Sequence, residues 1–594
     1  MDEGDSQART DEPGQTPVAA PRRWALRLAL VAVPIVWLVA CAVLGWSARG
    51  DITDAEHRVD LAQLNSLAQI IDGKGVDQLR KAESELREGH DSLSSPIVAP
   101  LRILPVVGRQ IDSALALSEA SSEALDAGLD ALAVVRKTID REGVAPEERP
   151  EMLATLADEA DKAHRRLLVL DLGPDEGLVG PLADARADFA ERLERTTRDL
   201  DRARSGLRQF GALLAGKARY LLLAANNAEM RAGSGMFLSA GELFIDNGRL
   251  GVTEMRSVTD IDLLDPGEIA VDPELQATWG WAQPGRDLRD IGVTPRFDVS
   301  ADLAARMWEK TQGGQVDGVM ALDPIVLQAL LKAVGPVKVN GRSIGANNVV
   351  DQLLHQQYVD FENDADRDRS GRKAMLGAVA EGAFLSFDRF KWDATTLANG
   401  LAQAAQGRHL MLWSRNPAMQ EAWAKAGIAG TLEKRSLMVS VLNYSATKLD
   451  QFLQVDTEMN LTRDTTGVSV KLVVSISNNT PPGEPGYIVG PFPGSDLKAG
   501  TYGGVLTVNV PGEATALRIE GSDSLAVDGA DGPTQVIGES FALDAGTARK
   551  TTITFHLPKG ARVLRIEPAA RVPAMKWKVG KETFDSESPR WVGW

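Results

Sequence analysis

Two stretches hold the residues best suited to chemistry. The first is Asp366-Arg367-Asp368-Arg369-Ser370-Gly371-Arg372-Lys373, which runs on into AMLGAVAEGAFLSF. Arg369 and Arg372 lie three apart, so they share one face once a helix has begun. Guanidinium forks match phosphate oxygens, and a helix N-terminus adds its dipole. The flanking acids, Asp366 among them, offer a plainer reading, a solvated run of mutually neutralised charge. The second stretch is Asn226-Asn227-Ala228-Glu229-Met230-Arg231-Ala232-Gly233-Ser234-Gly235, directly behind the apolar run Tyr220-Leu221-Leu222-Leu223-Ala224. Polar residues and glycines after a buried strand stand where open α/β sheets bind ligands. Gly233 and Gly235 allow close backbone approach. Glu229 is either an acid of that site or a structural partner of Arg231.

Charge and cysteine usage narrow the classes. The net charge of −17 argues against nonspecific nucleic-acid binding, which needs clustered positive charge. A local basic pocket stays compatible with it. Six scattered histidines and one cysteine, Cys41, argue against a His or Cys zinc site, and no metal ligand set is assigned. One cysteine also excludes any disulfide within the chain, which suits a bacterial envelope protein better than a eukaryotic secreted one.

At 594 residues the chain exceeds one hydrophobic core, so several elements must position these side chains. Residues 28–46, LALVAVPIVWLVACAVLGW, carry no charge, and at 1.5 Å per residue they span roughly 28 Å, about one hydrocarbon core. Arg22, Arg23 and Arg27 precede the run and acids follow it, which puts the N-terminus in the cytoplasm. Leu38-Val39-Ala40-Cys41 also reads as a lipobox, so lipidation at Cys41 is the competing form of anchorage. Residues 1–23 read as a disordered cytoplasmic tail and 24–47 as the anchor.

Residues 50–217 are rich in Ala, Leu, Glu and Arg at three- and four-residue spacing, a helical stalk broken by Gly and Pro into about four helices. Residues 218–440 read as an α/β domain. It opens with the strand before Asn226 and a hairpin turning at Asp246-Asn247-Gly248. A loop-rich stretch (259–297) and the strand VDGVMAL follow, and Asp323-Pro324 then starts a helix as N-cap and N1. Residues 441–594 alternate apolar and polar positions between turns, the pattern of an antiparallel β-sandwich of about seven strands, with a Trp-rich tail. Those tryptophans can stack on sugars or pack on a neighbouring domain.

Taken in order, YLLLAANNAEMRAGSG, the DNG hairpin, GQVDGVMALDP…LLKAVGPVKVNG and DADRDRSGRK resemble one uncharacterised, membrane-anchored envelope family. It is a numbered domain of unknown function common in actinobacteria. Pro100-Leu101-Arg102, Leu104-Pro105 and Gly108 match its PLRxLPxxG motif. More remotely, the central domain is similar to the LytR-CpsA-Psr phosphotransferases, which move a glycan from a polyprenyl-pyrophosphate carrier onto the cell wall. That resemblance implies a pyrophosphate facing Arg231, Arg369 and Arg372, with the lipid tail in an apolar slot. Asn226 or Asn227 stands where the enzymes carry an aspartate, and their arginine-serine-aspartate-threonine motif has no counterpart. The acids that would hold Mg²⁺ are therefore unmatched, and Mg²⁺ enters only if the protein is an enzyme.

The expectation is thus an α/β plus all-β chain: single transmembrane helix, helical stalk, LytR-CpsA-Psr-like α/β/α domain, C-terminal β-sandwich. It would sit in the cell membrane with its bulk outside. Its partners would be the membrane and a polyprenyl-phosphate lipid or glycan, with no nucleic acid. The alternative is a noncatalytic envelope scaffold or adhesion module.

Overall fold

The computed structural model describes residues 90, 94, 102–103, 105–139, 144–261, 263–363, 375–389, 392–492, 494–522 and 524–594. The expected tail and anchor, 1–23 and 24–47 with Cys41, lie outside the described residues. Among the described residues no helix is long and apolar enough to cross a membrane. The chain divides into two compact units. Among the described residues, one takes in those within Ser84–Ser121 and Asp171–Arg192, the other those within Ser122–Leu170 and Leu193–Trp594.

Among the described residues, helices α1 (Pro105–Ile139), α2 (Arg149–Leu168) and α3 (Gly180–Ala215) precede the first strand. In the first unit the Gln110 side-chain amide donates to the Gly177 carbonyl (2.8 Å) and accepts from the Val179 N–H (2.9 Å).

In the second unit Arg166 bonds Glu123, Asp126 and Asp130 at 2.7, 2.6 and 2.9 Å, joining α2 to α1. The Glu123 and Asp126 carboxylates push the Arg166 guanidinium above its ordinary range. Residues expected to belong to a stalk also enter the core of the α/β layer here. Leu213 and Leu214 are buried in it, and Leu153 and Phe210 pack against it.

The α/β layer is built on a mixed sheet. Its strands are β1 (Lys217–Met230), β2 (Gly235–Asp246), β3 (Arg249–Val252), the two-residue β4 (Arg256–Ser257), β5 (Gly318–Leu322) and β8 (Met411–Ser414). The order is β3-β2-β1-β5-β8, with β4 beside β2. β1 and β5 run parallel; the other neighbours run antiparallel. A strand buried on both faces reads as a continuous apolar run, and β1 alternates its load. Tyr220, Leu222 and Ala224 face helices α5 (Pro324–Val334), α6 (Met375–Arg389) and α7 (Ala394–Gln406). Leu221, Leu223 and Ala225 face α4 (Phe297–Gln312). A small hairpin, β6 (Val337–Val339) and β7 (Arg342–Ile344), follows α5.

The β2–β3 turn fixes the hairpin and one helix end together. Gly248 has φ +81°, and a Cβ there would stand 1.6 Å from the Pro146 carbonyl oxygen, so only glycine fits. Arg149 donates to the Gly248 carbonyl (2.8 Å) and the Phe387 carbonyl (2.9 Å), so the start of α2 closes over the turn.

From residue 436 the chain is a pair of sheets. The first runs β14 (Val527–Asp531), β15 (Thr534–Leu543), β12 (Tyr502–Pro511), β9 (Ser436–Asn443), β17 (Val563–Glu567), β20 (Arg590–Gly593). The second runs β13 (Thr515–Ile519), β16 (Ala548–Pro558), β11 (Gly467–Asn478), β10 (Leu453–Arg463), β18 (Lys576–Val579), β19 (Glu582–Asp585). Inward residues of both, such as Val439 and Leu506 from one and Val470 and Ile553 from the other, fill a single core. This differs from about seven antiparallel strands starting at 441. β9 starts at 436, the tail supplies β18–β20, and β9–β17 and β10–β18 pair in parallel. Trp577 of the tail is buried at 1 % exposure, whereas Trp591 is exposed.

Candidate functional site

β1 is 14 residues long, but its parallel pairing with β5 ends at Ala224–Leu322. Residues 225–230 therefore run on past β5 while Ala225, Asn226 and Met230 still pair irregularly with β2, and the Met230 N–H donates to Asp450 Oδ2 at 3.0 Å, inside the β-sheet half. The polar residues expected at an open strand end lie instead at a seam between two packed halves.

Each predicted residue of the Asn226–Gly235 segment has a definite place there. Asn226 donates Nδ2 to the Tyr358 hydroxyl (2.5 Å), and its Oδ1 accepts from the Ala228 N–H (2.8 Å). Asn227 donates to Asp323 Oδ2 (2.8 Å) and to the Ala570 carbonyl (2.7 Å); its own Oδ1 is buried and has no partner among the described residues. Glu229 pairs with Lys448 at 3.0 Å, both side chains 7 % exposed, so its structural partner is that lysine and not Arg231. Three rings surround the Lys448 ammonium, Tyr487, Phe492 and Tyr358 at 5.2, 5.4 and 5.7 Å.

Arg231 is buried and makes four hydrogen bonds to protein. Nε donates to the Arg289 carbonyl (3.2 Å), Nη1 to the Met230 and Asn443 carbonyls (3.3 and 2.8 Å), and Nη2 to Asp290 Oδ1 (3.2 Å). An anion here would have to displace carbonyls already in place. The glycines serve chain-to-chain approach. A Cβ on Gly235 would fall 2.4 Å from the Asn226 carbonyl oxygen, and one on Gly233 3.0 Å from Pro295 Cα. Asp366, Arg369 and Arg372 lie outside the described residues, so the convergence of three arginines finds one of them, Arg231, at the seam.

Sequence reasoning missed the groups that organise this seam. Asp323 was legible as a helix cap, and Oδ1 does accept from the Ile325 and Val326 N–H groups (2.9 and 3.4 Å). Its Oδ2 also takes His409 Nδ1 at 2.5 Å as well as Asn227. A carboxylate orienting an imidazole is half of a general-base arrangement. Among the described residues no hydroxyl or thiol is bonded to His409 Nε2.

Asp450 is the second hub, fully buried. It accepts from the Met230 N–H, Asn443 Nδ2 (2.8 Å), the Tyr502 hydroxyl (3.0 Å) and Arg571 Nη1 (2.9 Å). Burial, and then the Asp450 charge, push the Tyr502 phenol well above its ordinary range. Above Arg231 the surface carries two exposed rings, Trp281 and Tyr444, with centroids 5.0 Å apart. Among the described residues no cluster of His, Cys, Asp and Glu is arranged to hold a metal ion. An open groove of about 550 Å³ lies away from the seam, where Leu168, Thr197, Arg198, Arg202 and Lys425 meet.

Residues 215–358 match the family model described as "Protein of unknown function (DUF4012)". The match covers β1 with its Asn226–Gly235 segment, the hairpin, β5 and Asp323, and it ends at Tyr358, the residue bonded to Asn226. The seam's other partners, His409, Lys448, Asp450 and Arg571, lie beyond it. No curated protein matches the chain.

Proposed function

We propose that this chain is a membrane-tethered, extracytoplasmic protein of a bacterial, actinobacterial-type cell envelope, and that it binds envelope polysaccharide without transforming it. The central domain is a relative of the LytR-CpsA-Psr phosphotransferases whose catalytic strand end has become a structural joint. One observation carries this reading. The strand-end side chains Asn226, Asn227, Glu229 and Arg231 all bond to protein partners, three of them directly to residues of the β-sheet half or the segment leading into it. Phosphoryl transfer needs charge-stabilising donors left open for the substrate. The uncharged run at 28–46 supports the tether.

The test uses the full chain in proteoliposomes. Purified envelope polysaccharide should co-sediment with them, while a labelled polyprenyl-pyrophosphate glycan with Mg²⁺ should give no transfer to wall acceptor. Transfer above the protein-free background, abolished in Arg369→Ala/Arg372→Ala, would overturn the noncatalytic reading and restore the carrier-binding one.

A further inference from the structure

Trp281 and Tyr444 are 45 % and 40 % exposed, and their rings meet at 5.0 Å with a 45° tilt. Large rings left in water beside one another lose the burial that normally holds them, so such a pair marks a contact surface. Neither ring sits on a loose support. Trp281 lies in the tight turn Gly280–Ala282 behind the short helix Pro273–Trp279, which is capped by Asp272 and tied by the Thr278 hydroxyl to the Ala530 carbonyl (2.7 Å). Tyr444 follows β9 directly, and its N–H donates to the Gly503 carbonyl (2.9 Å). Two residues past each ring the chain turns through a left-handed, non-glycine conformation, Gln283 at φ +51° and Ala446 at φ +54°. Such residues are uncommon and cluster at ligand clamps.

What surrounds the rings selects the ligand. The Arg231 guanidinium lies 5.3 Å from the Tyr444 centroid and holds Asp290, whose side chain is 32 % exposed. Arg289, 37 % exposed, is tied to Asp287. Each of these two pairs is charge-balanced, so neither offers an unpaired guanidinium to a phosphate nor an unpaired carboxylate to a cation. A carboxylate that accepts and guanidinium groups that donate, set beside two rings, match the hydroxyls and the apolar C–H face of a sugar.

We infer that Trp281 and Tyr444, flanked by the Arg231–Asp290 and Asp287–Arg289 pairs, bind a neutral saccharide ring. This rests on the polysaccharide-binding reading above and places its contact surface. The rings stack on the sugar, and Asp290 and Arg289 bond its hydroxyls.

The test is calorimetric titration of the full chain in nanodiscs with hexasaccharides of glucose, mannose, galactose and N-acetylglucosamine, together with co-sedimentation of whole envelope polysaccharide. At least one hexasaccharide should bind. Trp281→Ala and Tyr444→Ala should each weaken it by about tenfold or more, the scale of one lost aromatic anchor. Asp290→Asn should weaken it less. Circular dichroism and the denaturation midpoint should hold for both ring variants, because the rings are exposed. Equal retention of whole polysaccharide by wild type and the Trp281→Ala/Tyr444→Ala double variant would overturn this site and leave the broader reading standing. Failure of the wild type to retain any polysaccharide would remove that reading itself. No response to any hexasaccharide, with retention insensitive to the ring variants, also overturns the site.

Discussion

Replacing Asp450 by asparagine should cost about 3–5 kcal/mol of stability, the scale for breaking one half of a buried ion pair. The partners set that size. Arg571 is 1 % exposed and Asp450 0 %, with Nη1 to Oδ1 at 2.9 Å and Nη2 donating to the Asp450 carbonyl at 3.1 Å. In the Asp450→Asn variant the guanidinium keeps its charge and its burial but loses its counter-ion. The carboxylate also accepts from the Met230 N–H, Asn443 and Tyr502, and an amide group must turn an N–H₂ towards one of these donors. The assay is urea unfolding of the full chain in detergent, followed by tryptophan fluorescence and far-UV circular dichroism. Asp450→Asn combined with Arg571→Met removes both charges of the pair, so it should regain most of the loss. A loss under about 1 kcal/mol in Asp450→Asn, or a double variant as unstable as the two single losses added, would refute the hub as described.

Three further outcomes follow from the same geometry. Lys448→Met strands Glu229 at 7 % exposure and should cost about 3 kcal/mol by urea unfolding, largely restored by adding Glu229→Gln. Gly248→Ala should cost about 2–4 kcal/mol, read as a lower unfolding midpoint, because it adds backbone strain at φ +81° to a collision with the Pro146 carbonyl. Glu567, buried and held by Ser436 and Arg565, has its carboxyl pushed up chiefly by that burial. The folded state then holds this proton to higher pH than the unfolded chain, so the contribution is fully present below the usual glutamate range and is lost as pH rises through the raised value. Unfolding free energy measured against pH should fall across that window, and Glu567→Gln should flatten the fall; an unchanged slope would contradict it.

What was legible in the sequence is what nearest neighbours along the chain decide. Asn247 and Gly248 take positive φ, and the strands on either side pair as Asp246 opposite Arg249. Asp323 caps the helix that Pro324 begins, because both groups lie within one turn of each other. The alternation of Leu453, Val455 and Met459 put those side chains on one face of β10 before any partner strand was known. The charged run at 366–373 allowed two readings, a phosphate site or mutual neutralisation, because which groups meet a charge is not fixed by spacing alone.

Tertiary structure decided the rest. Arg231 has the type and position of a phosphate ligand, yet its bonds go to Asn443 and Asp290, which the strand pattern around it could not name. Asp450 and Arg571 stand 121 residues apart, and Asn227 and Ala570 343. Trp281 and Tyr444 belong to different halves of the chain's second unit and become a pair only where those halves meet. Residue type and short-range spacing determine turns, caps and faces, because backbone sterics and hydrogen bonds act within about four residues. Whether a buried charge is a site or a joint depends on desolvation and on partners brought in from far along the chain, and those exist only after folding.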